Sequence, residues 1–130
     1  MARDKITVQL PMREATESLE IATITKQSIT AANGIEVADA LSDKNNSLFI
    51  ILEPSNTGVV TVKAGDKYPN SMLGDLNVTP TASKVTAIQI LDAARFERAD
   101  GSIYIDFASG FTGYIYAVAK RAGILPTSAQ

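Results

Sequence analysis

The sequence predicts an all-β fold, an antiparallel β-sandwich of jelly-roll or Greek-key type, and three observations lead to this prediction. Apolar and polar residues alternate in about eight short runs, which is the period of half-buried strands. Turn-forming Gly, Pro and Asn residues separate these runs at short intervals. No run has the length and period of a helix that could cross over between parallel strands. At 130 residues, the chain is long enough for one domain with a single core.

The first residues predict an extended N-terminal arm that stands outside the core of the domain. Ile6, Val8 and Leu10 alternate with polar residues, and Pro11 ends this run because proline cannot donate to a β-ladder. Such a segment can add as a strand to a neighbouring molecule. These three apolar side chains are therefore candidate partner-binding residues.

The chain then divides into an arm at residues 1–13, a β-sandwich domain at 14–119 and a short C-terminal tail at 120–130. Within the tail, Ile124 and Leu125 form a short apolar segment that we regard as a second candidate partner contact.

The beginning of the domain, residues 12–26, fits two structures. Leu19, Ile21 and Thr23 alternate as in a strand, whereas residues 13–20 could also form a short helix, and the alternation favours the strand. After a turn at Asn33-Gly34, the predicted strands are Ile35–Val37, Leu48–Glu53, Val59–Lys63, Asp75–Thr79 and Val85–Leu91.

The run from Arg95 to Ala119 predicts three further consecutive strands, with a hairpin turn at Asp100-Gly101. The strands Leu48–Glu53 and Val59–Lys63 resemble a hairpin pair. Alternation predicts that one set of apolar side chains shares the core face of these strands: Val60, Val62, Leu76, Val78, Ile88, Ile90, Ile103, Ile105 and Phe107.

The segment from Leu48 to Leu52 departs from alternation because it is apolar on both faces. A two-layer sandwich covers only one face of each strand. The second face must be covered by another part of the chain or by a neighbouring subunit or partner.

The composition of the chain disfavours several classes of functional site and partner. The chain contains no His, Cys or Trp, which removes the usual general base, the soft metal ligands and the thiol nucleophile. Twelve basic and fourteen acidic residues are interleaved, so no basic stripe favours nucleic acid as a partner. No segment approaches the length of a membrane span, and we expect neither a membrane partner nor a cofactor. We therefore expect a protein that is not an enzyme.

Two local patterns have alternative explanations. Asp100, Ser102 and Asp106 could supply oxygen ligands to calcium, but their spacing favours a turn aspartate and a strand aspartate. The segment Gly110–Gly113 has the GxxG spacing of an RNA-binding module, but its place between predicted strands favours a hairpin loop.

Three tyrosines could form a stacking platform for a sugar or base if they share one face of the sheet. They are Tyr104, Tyr114 and Tyr116, and the alternative is packing within the sheet.

The chain from about Asn33 to Val118 resembles the small head decoration, or cement, proteins and related capsid-associated proteins of tailed bacteriophages. The segments that carry the resemblance are LFIILEPSNTGVVTVKAGD, LGDLNVT and ARFERADGSIYIDFASGFTGYIYAV, with Ala64-Gly65-Asp66, Gly74-Asp75, Arg95-Phe96 and Asp100-Gly101 as structural motifs. The family has no catalytic residues to transfer to this chain.

The resemblance implies a β-sandwich that is made in the bacterial host cytoplasm and binds the outer surface of the virion capsid. Its partner would be the major capsid protein, and we expect a homo-oligomer, with a trimer as the first expectation. A receptor-binding or carbohydrate-binding β-module of a phage fibre or virion appendage is the alternative function. A small hydrolase that uses carboxylates is disfavoured because no carboxyl pair has a recognisable catalytic setting.

Overall fold

The computed structural model describes residues 2–9, 24–38, 48–90 and 93–119. In these residues, β-structure dominates, and the all-β prediction is confirmed. The elements are β1 (Asp4–Gln9), β2 (Gln27–Ser28), β3 (Ile35–Ala38), β4 (Leu48–Pro54), β5 (Val60–Val62), a 3₁₀ turn (Asn70–Leu73), β6 (Leu76–Val78), β7 (Thr86–Ile90), α1 (Ala93–Phe96), β8 (Ile103–Phe107) and β9 (Gly113–Ala119).

The described strands form one continuous sheet that curls around a single core as a half-barrel. Their order is β6-β5-β8-β3-β1-β9-β4-β7, and β2 pairs with β9 beside β1. We call β6, β5, β8 and β3 the polar half of the sheet and β9, β4 and β7 the apolar half, after their outward-facing side chains. Strand β1 joins the two halves.

The position of β1 corrects the expectation of an N-terminal arm outside the core. Residues Asp4–Thr7 pair with β3, and Val8 and Gln9 pair with β9. Ile6 is buried in the core, and Val8 packs against it. Alternation followed by proline describes a central strand as well as a free arm, because neither signal specifies which strand will pair with it.

The remaining predicted partner contacts, Leu10, Ile124 and Leu125, lie outside the described residues. Most of the ambiguous segment 12–26, and all of the tail 120–130, also lie outside the described residues.

The sheet is mixed rather than purely antiparallel. Strand β1 runs parallel to both β3 and β9, whereas the other described pairs are antiparallel. A parallel pair needs a connection of about a dozen residues or more. Residues 10–34 provide that length between β1 and β3. The absence of a predicted crossover helix was therefore not sufficient to exclude parallel pairing.

Two of the predicted hairpins are wrong in different ways: the strands of the first are present but pair elsewhere, and the first strand of the second is not formed. Strand β4 pairs with β7 and β9, whereas β5 pairs with β6 and β8, so the two belong to different halves of the sheet. Asp100-Gly101 does form a tight turn, with Gly101 at φ +86°, but the turn joins α1 to β8. Arg95 and Phe96 are therefore helical and do not begin a third terminal strand.

The predicted core is confirmed in its pattern. Every strand of five or more described residues places alternate side chains inward, and the buried set includes Val60, Val62, Ile88, Ile90, Ile103 and Ile105. The predicted residues Leu76, Val78 and Phe107 are partly buried and pack against this cluster. Phe111, between β8 and β9, is also buried and stacks on Phe107 at 5.4 Å between ring centroids.

Two glycines allow close approach of the backbone where the chain turns. Gly113 has φ +141° at the start of β9, and a side chain there would overlap the Glu53 carbonyl at the end of β4. At Gly65, a side chain would overlap the Glu97 carbonyl, so this glycine allows the loop after β5 to contact the segment after α1.

Candidate functional site

The outer face of the apolar half carries aromatic and aliphatic side chains at positions where a solvated sheet face usually carries polar ones. On β4, the inward side chains of Leu48, Ile50 and Leu52 are fully buried, and Phe49 and Ile51 point to the opposite face. Cross-strand pairing places Phe49 beside Val118 and Ile51 between Ala87 and Tyr116. The same pairing places the exposed Gln89 opposite Phe49. We call the apolar members of the outward set the apolar face: Phe49, Ile51, Val85, Ala87, Tyr114, Tyr116 and Val118.

The side chains of the apolar face are partly open to solvent. Phe49, Ile51, Tyr116 and Val118 are half-buried, while Val85 and Tyr114 are 66% and 46% exposed. The doubly apolar run of β4 therefore has one face in the core and one on the surface. Its second face contributes to an outward apolar patch, and what covers that patch stays a prediction.

A polar network borders the apolar face at the end of β4. The Tyr116 hydroxyl donates to Glu53 Oε2 at 2.9 Å, and Lys26 Nζ lies 2.9 Å from Glu53 Oε1. The same ammonium group lies 5.4 Å from the ring centroid of Tyr114. This network orients both tyrosines of β9 from one side.

The network shifts the protonation equilibria of its members. Hydrogen bonds from Lys26 and then from Tyr116 hold the pKa of Glu53 below its ordinary value. The hydrogen bond to Glu53 raises the pKa of Lys26. Burial, followed by the hydrogen bond to Glu53, raises the pKa of the Tyr116 phenol. The carboxylate and ammonium therefore stay charged near neutral pH, and the phenol stays protonated.

A groove of about 290 Å³ continues from the apolar face past the end of β4. Pro54, Val85 and Tyr114 provide its apolar wall, and Glu53, Ser55, Ser83 and Lys84 complete the lining. The mixture of a tyrosine ring and short polar side chains could accept a peptide or a sugar edge.

The outer face of the polar half is different, because aromatic, cationic and acidic side chains pair with one another there. Arg3 and Arg98 each lie 4.3 Å from the ring centroid of Tyr104. Arg3 also pairs with Asp106 at 2.6 Å, and Arg98 lies 3.6 Å from Asp66. These contacts form a self-paired, solvated surface.

The structure separates the three candidate stacking tyrosines. Tyr114 and Tyr116 share the outer face of β9, whereas Tyr104 lies on β8 beside the two arginines. The choice of neighbouring strands decides this arrangement. Strand β8 pairs with β3 and β5, and β9 pairs with β4, so β8 and β9 belong to different halves of the sheet.

Asp100 and Asp106, considered as oxygen ligands, each have a separate partner. Asp100 accepts hydrogen bonds from the Ser102 hydroxyl at 2.6 Å and from its backbone N–H at 3.1 Å. These bonds lower the pKa of Asp100. Asp106 pairs with Arg3. Among the described residues, no group of three or more acidic residues is placed to hold a metal ion.

The segment Gly110–Gly113 connects the two halves of the sheet rather than closing a hairpin. Phe111 is buried, and Asn56 holds the loop by accepting from the Thr112 N–H and donating to the Gly110 carbonyl. The strands on either side of the loop pair with different neighbours, which corrects the hairpin prediction.

One surface feature was not predicted. Tyr68, Met72 and Leu73 lie on the loop between β5 and β6 and are 78%, 72% and 64% exposed. In the sequence, Pro69, Asn70 and Gly74 mark this segment as a loop, and the available signal of an apolar surface was three large apolar side chains within six positions.

Comparisons with protein-family models, with curated proteins and with solved structures give no significant match. Within the described part of the chain, the helices are too short to cross a membrane.

Proposed function

We propose that this protein is a structural, non-enzymatic virion protein that binds the outer surface of a phage capsid. It stabilises contacts between major capsid protein subunits, as a decoration or cement protein does. The apolar face is the observation that carries the proposal, because half-exposed aromatic and aliphatic side chains on a regular sheet favour association over solvation.

The apolar face is the contact between copies of the chain in this proposal. Burying apolar surface contributes roughly 25 cal/mol per Å², and the outer face of a sheet can be covered by a second sheet. We infer a homo-oligomer, with a trimer as the first expectation. The half-barrel then acts as one layer of a sandwich-like arrangement whose second layer belongs to a neighbouring copy.

An oligomer suits a repeated capsid lattice. Each copy carries the same capsid contact, so several weak contacts act together and the overall affinity exceeds that of one copy. A protein that binds only the assembled lattice stabilises it by RT ln(1 + [L]/Kd) per site, which is about 2.7 kcal/mol at a hundredfold excess over Kd. This mechanism requires no turnover, and the protein would be located on the capsid exterior after synthesis in the host cytoplasm.

The test compares capsids with and without the protein. Purified heads that lack it are melted alone and with saturating protein, at pH 5.5 and 7.5. We expect a higher melting temperature at both values, because the chain has no histidine that would titrate between them. Heads that gain no stability at saturating protein would contradict the proposal.

A carbohydrate-binding or receptor-binding module is the second candidate, and one observation favours it. Tyr114 and Tyr116 share a face, with Lys26 over the Tyr114 ring. A glycan array with the wild-type protein and with Tyr114→Ala tests this function. Tyrosine-dependent glycan binding, together with unchanged capsid stability, would favour the module over the decoration protein.

A further inference from the structure

The loop between β5 and β6 carries a second apolar surface, separate from the apolar face. Tyr68, Met72 and Leu73, which we call the apolar knob, are among the most exposed large apolar residues in the described chain. Single exposed apolar side chains are ordinary, but here three large ones lie within six positions of one loop. The flanking strands lie at the opposite end of the strand order from β7.

The exposure of the knob is not the result of a loosely attached loop. Arg95 donates from Nε to the Gly74 carbonyl at 2.9 Å and from Nη2 to the Asp75 carbonyl at 3.1 Å. Within the loop, backbone bonds join Ser71 to Lys67 and Gly74 to Ser71. The loop therefore presents its side chains on a held backbone, which reduces the entropy lost on binding.

Asp75 anchors the end of the loop. Its carboxylate accepts from the Ala64 N–H at 2.7 Å and pairs with Lys63 at 3.1 Å. The Ala64 bond, followed by the Lys63 bond, lowers the pKa of Asp75, so this anchor stays ionised near neutral pH.

Most charges around the base of the knob are paired with an opposite charge in the chain, whereas Arg95 donates to backbone carbonyls. Lys67 lies 2.9 Å from Glu97, and Lys63 and Arg98 have their own carboxylate partners. A partner with a strong charge of either sign would have to compete with these pairs. The surroundings therefore match an uncharged, apolar recess better than an anionic surface.

We propose that Tyr68, Met72 and Leu73 insert together into an apolar recess on a protein partner. The inference rests on the proposed function, under which that recess belongs to the major capsid protein. The apolar face joins copies of the chain, and the knob attaches each copy to the shell. Aromatic, Met and other large apolar anchors that enter a pocket typically dominate the binding energy of an interface.

The experiment measures binding to purified heads that lack the protein. The variants are the triple substitution Tyr68→Ser, Met72→Ser and Leu73→Ser, the single substitution Met72→Asp, and Val59→Ser as the matched control. Val59 is an exposed apolar residue, at 42%, outside both surfaces. Thermal melts establish that each variant is folded, and Met72→Asp provides the test if the triple variant does not fold.

We expect the knob variants to bind heads at least about tenfold more weakly than wild type, and Val59→Ser to bind normally. If wild type does not bind heads, the proposed function fails and the inference fails with it. If wild type and the knob variants bind equally, only the inference is overturned. Equal weakening by Val59→Ser would also overturn it, because the effect would not be specific to the knob.

A lipid surface is the other class of apolar partner. Wild type and Met72→Asp are therefore mixed with neutral phosphatidylcholine vesicles and sedimented. If wild type binds vesicles and Met72→Asp abolishes this binding, the proposal of a recess on a protein partner is overturned. An absence of vesicle binding by wild type supports the proposal.

Discussion

The two halves of the sheet bury similar aliphatic residues on the inside but differ on the outside. The polar half directs Tyr104 and Asp106 outward and pairs them with Arg3, while the apolar half directs Phe49, Ile51 and Tyr116 outward. Exposed ion pairs contribute only about 0–1 kcal/mol each to stability. Their main consequence is a surface that is already satisfied, whereas the apolar face can still gain free energy by association.

This comparison shows that the alternation of apolar and polar residues predicts which side chains are buried. It does not predict the chemical character of the outer face of the folded sheet. Both halves obey the same inward pattern, and the core is continuous across them through β1. Function is therefore expected to follow the outward residues. Variants that separate the core face from the outer face, or one half from the other, test that conclusion.

The largest effect is expected from removal of the strand that joins the two halves. Deletion of residues 1–9 removes Ile6 from the core and leaves β3 paired only with β8, and β9 paired only with β4 and β2, so the sheet loses the strand that connects its two halves. Because a domain is stable by only about 5–15 kcal/mol, we expect the truncated chain to lose its cooperative thermal transition. Circular dichroism melts measure this, with the exposed-site variant Lys5→Ala as control. A truncated chain that melts within a few degrees of wild type would show that the halves do not need β1.

The next largest effect is expected from substitutions that compare the two faces of β4. Ile50→Asp places a charge in the core, where Ile50 is fully buried, and should cost more than about 4 kcal/mol. Ile51→Asp lies on the apolar face and should cost about 1 kcal/mol while weakening self-association. Thermal melts and sedimentation measure the two effects. Equal loss of folding in both variants would show that both faces are internal and would remove the apolar face as a contact between copies.

The smallest effect concerns the polar border of the apolar face. The pKa of Glu53 is lower in the folded chain than its ordinary value of 4.5. Its contribution to stability is therefore full above that value and is lost as the pH falls through the folded pKa. Glu53→Gln should be slightly less stable than wild type at pH 7, and the difference should shrink as the pH falls below about 4.

Melting temperatures of both proteins from pH 3 to 7 measure this difference. Thr61→Val on the polar half is the control, since it removes a side-chain hydrogen bond without a titrating group. A difference between Glu53→Gln and wild type that grows toward acid pH would contradict the assigned sign.

The candidate surfaces were only partly predictable. The doubly apolar run 48–52 indicated in advance that one face of this strand would need a covering. It did not indicate that Tyr116 and Val118 would lie beside it, because that depends on β9 pairing with β4 across a long separation in the chain. The apolar knob was not predicted, since exposure of a loop residue depends on what the rest of the fold leaves uncovered.

By itself, the sequence determined the all-β class, most strand positions and the inward-facing residues, because period-two alternation and turn residues act locally. Only the tertiary structure decided that β1 is a central parallel strand, that β4 and β5 belong to different halves, and that Arg95 is helical. Strand pairing is a non-local choice among edges with similar hydrogen-bonding groups. Local patterns therefore specify which face a residue takes but not which strand lies beside it.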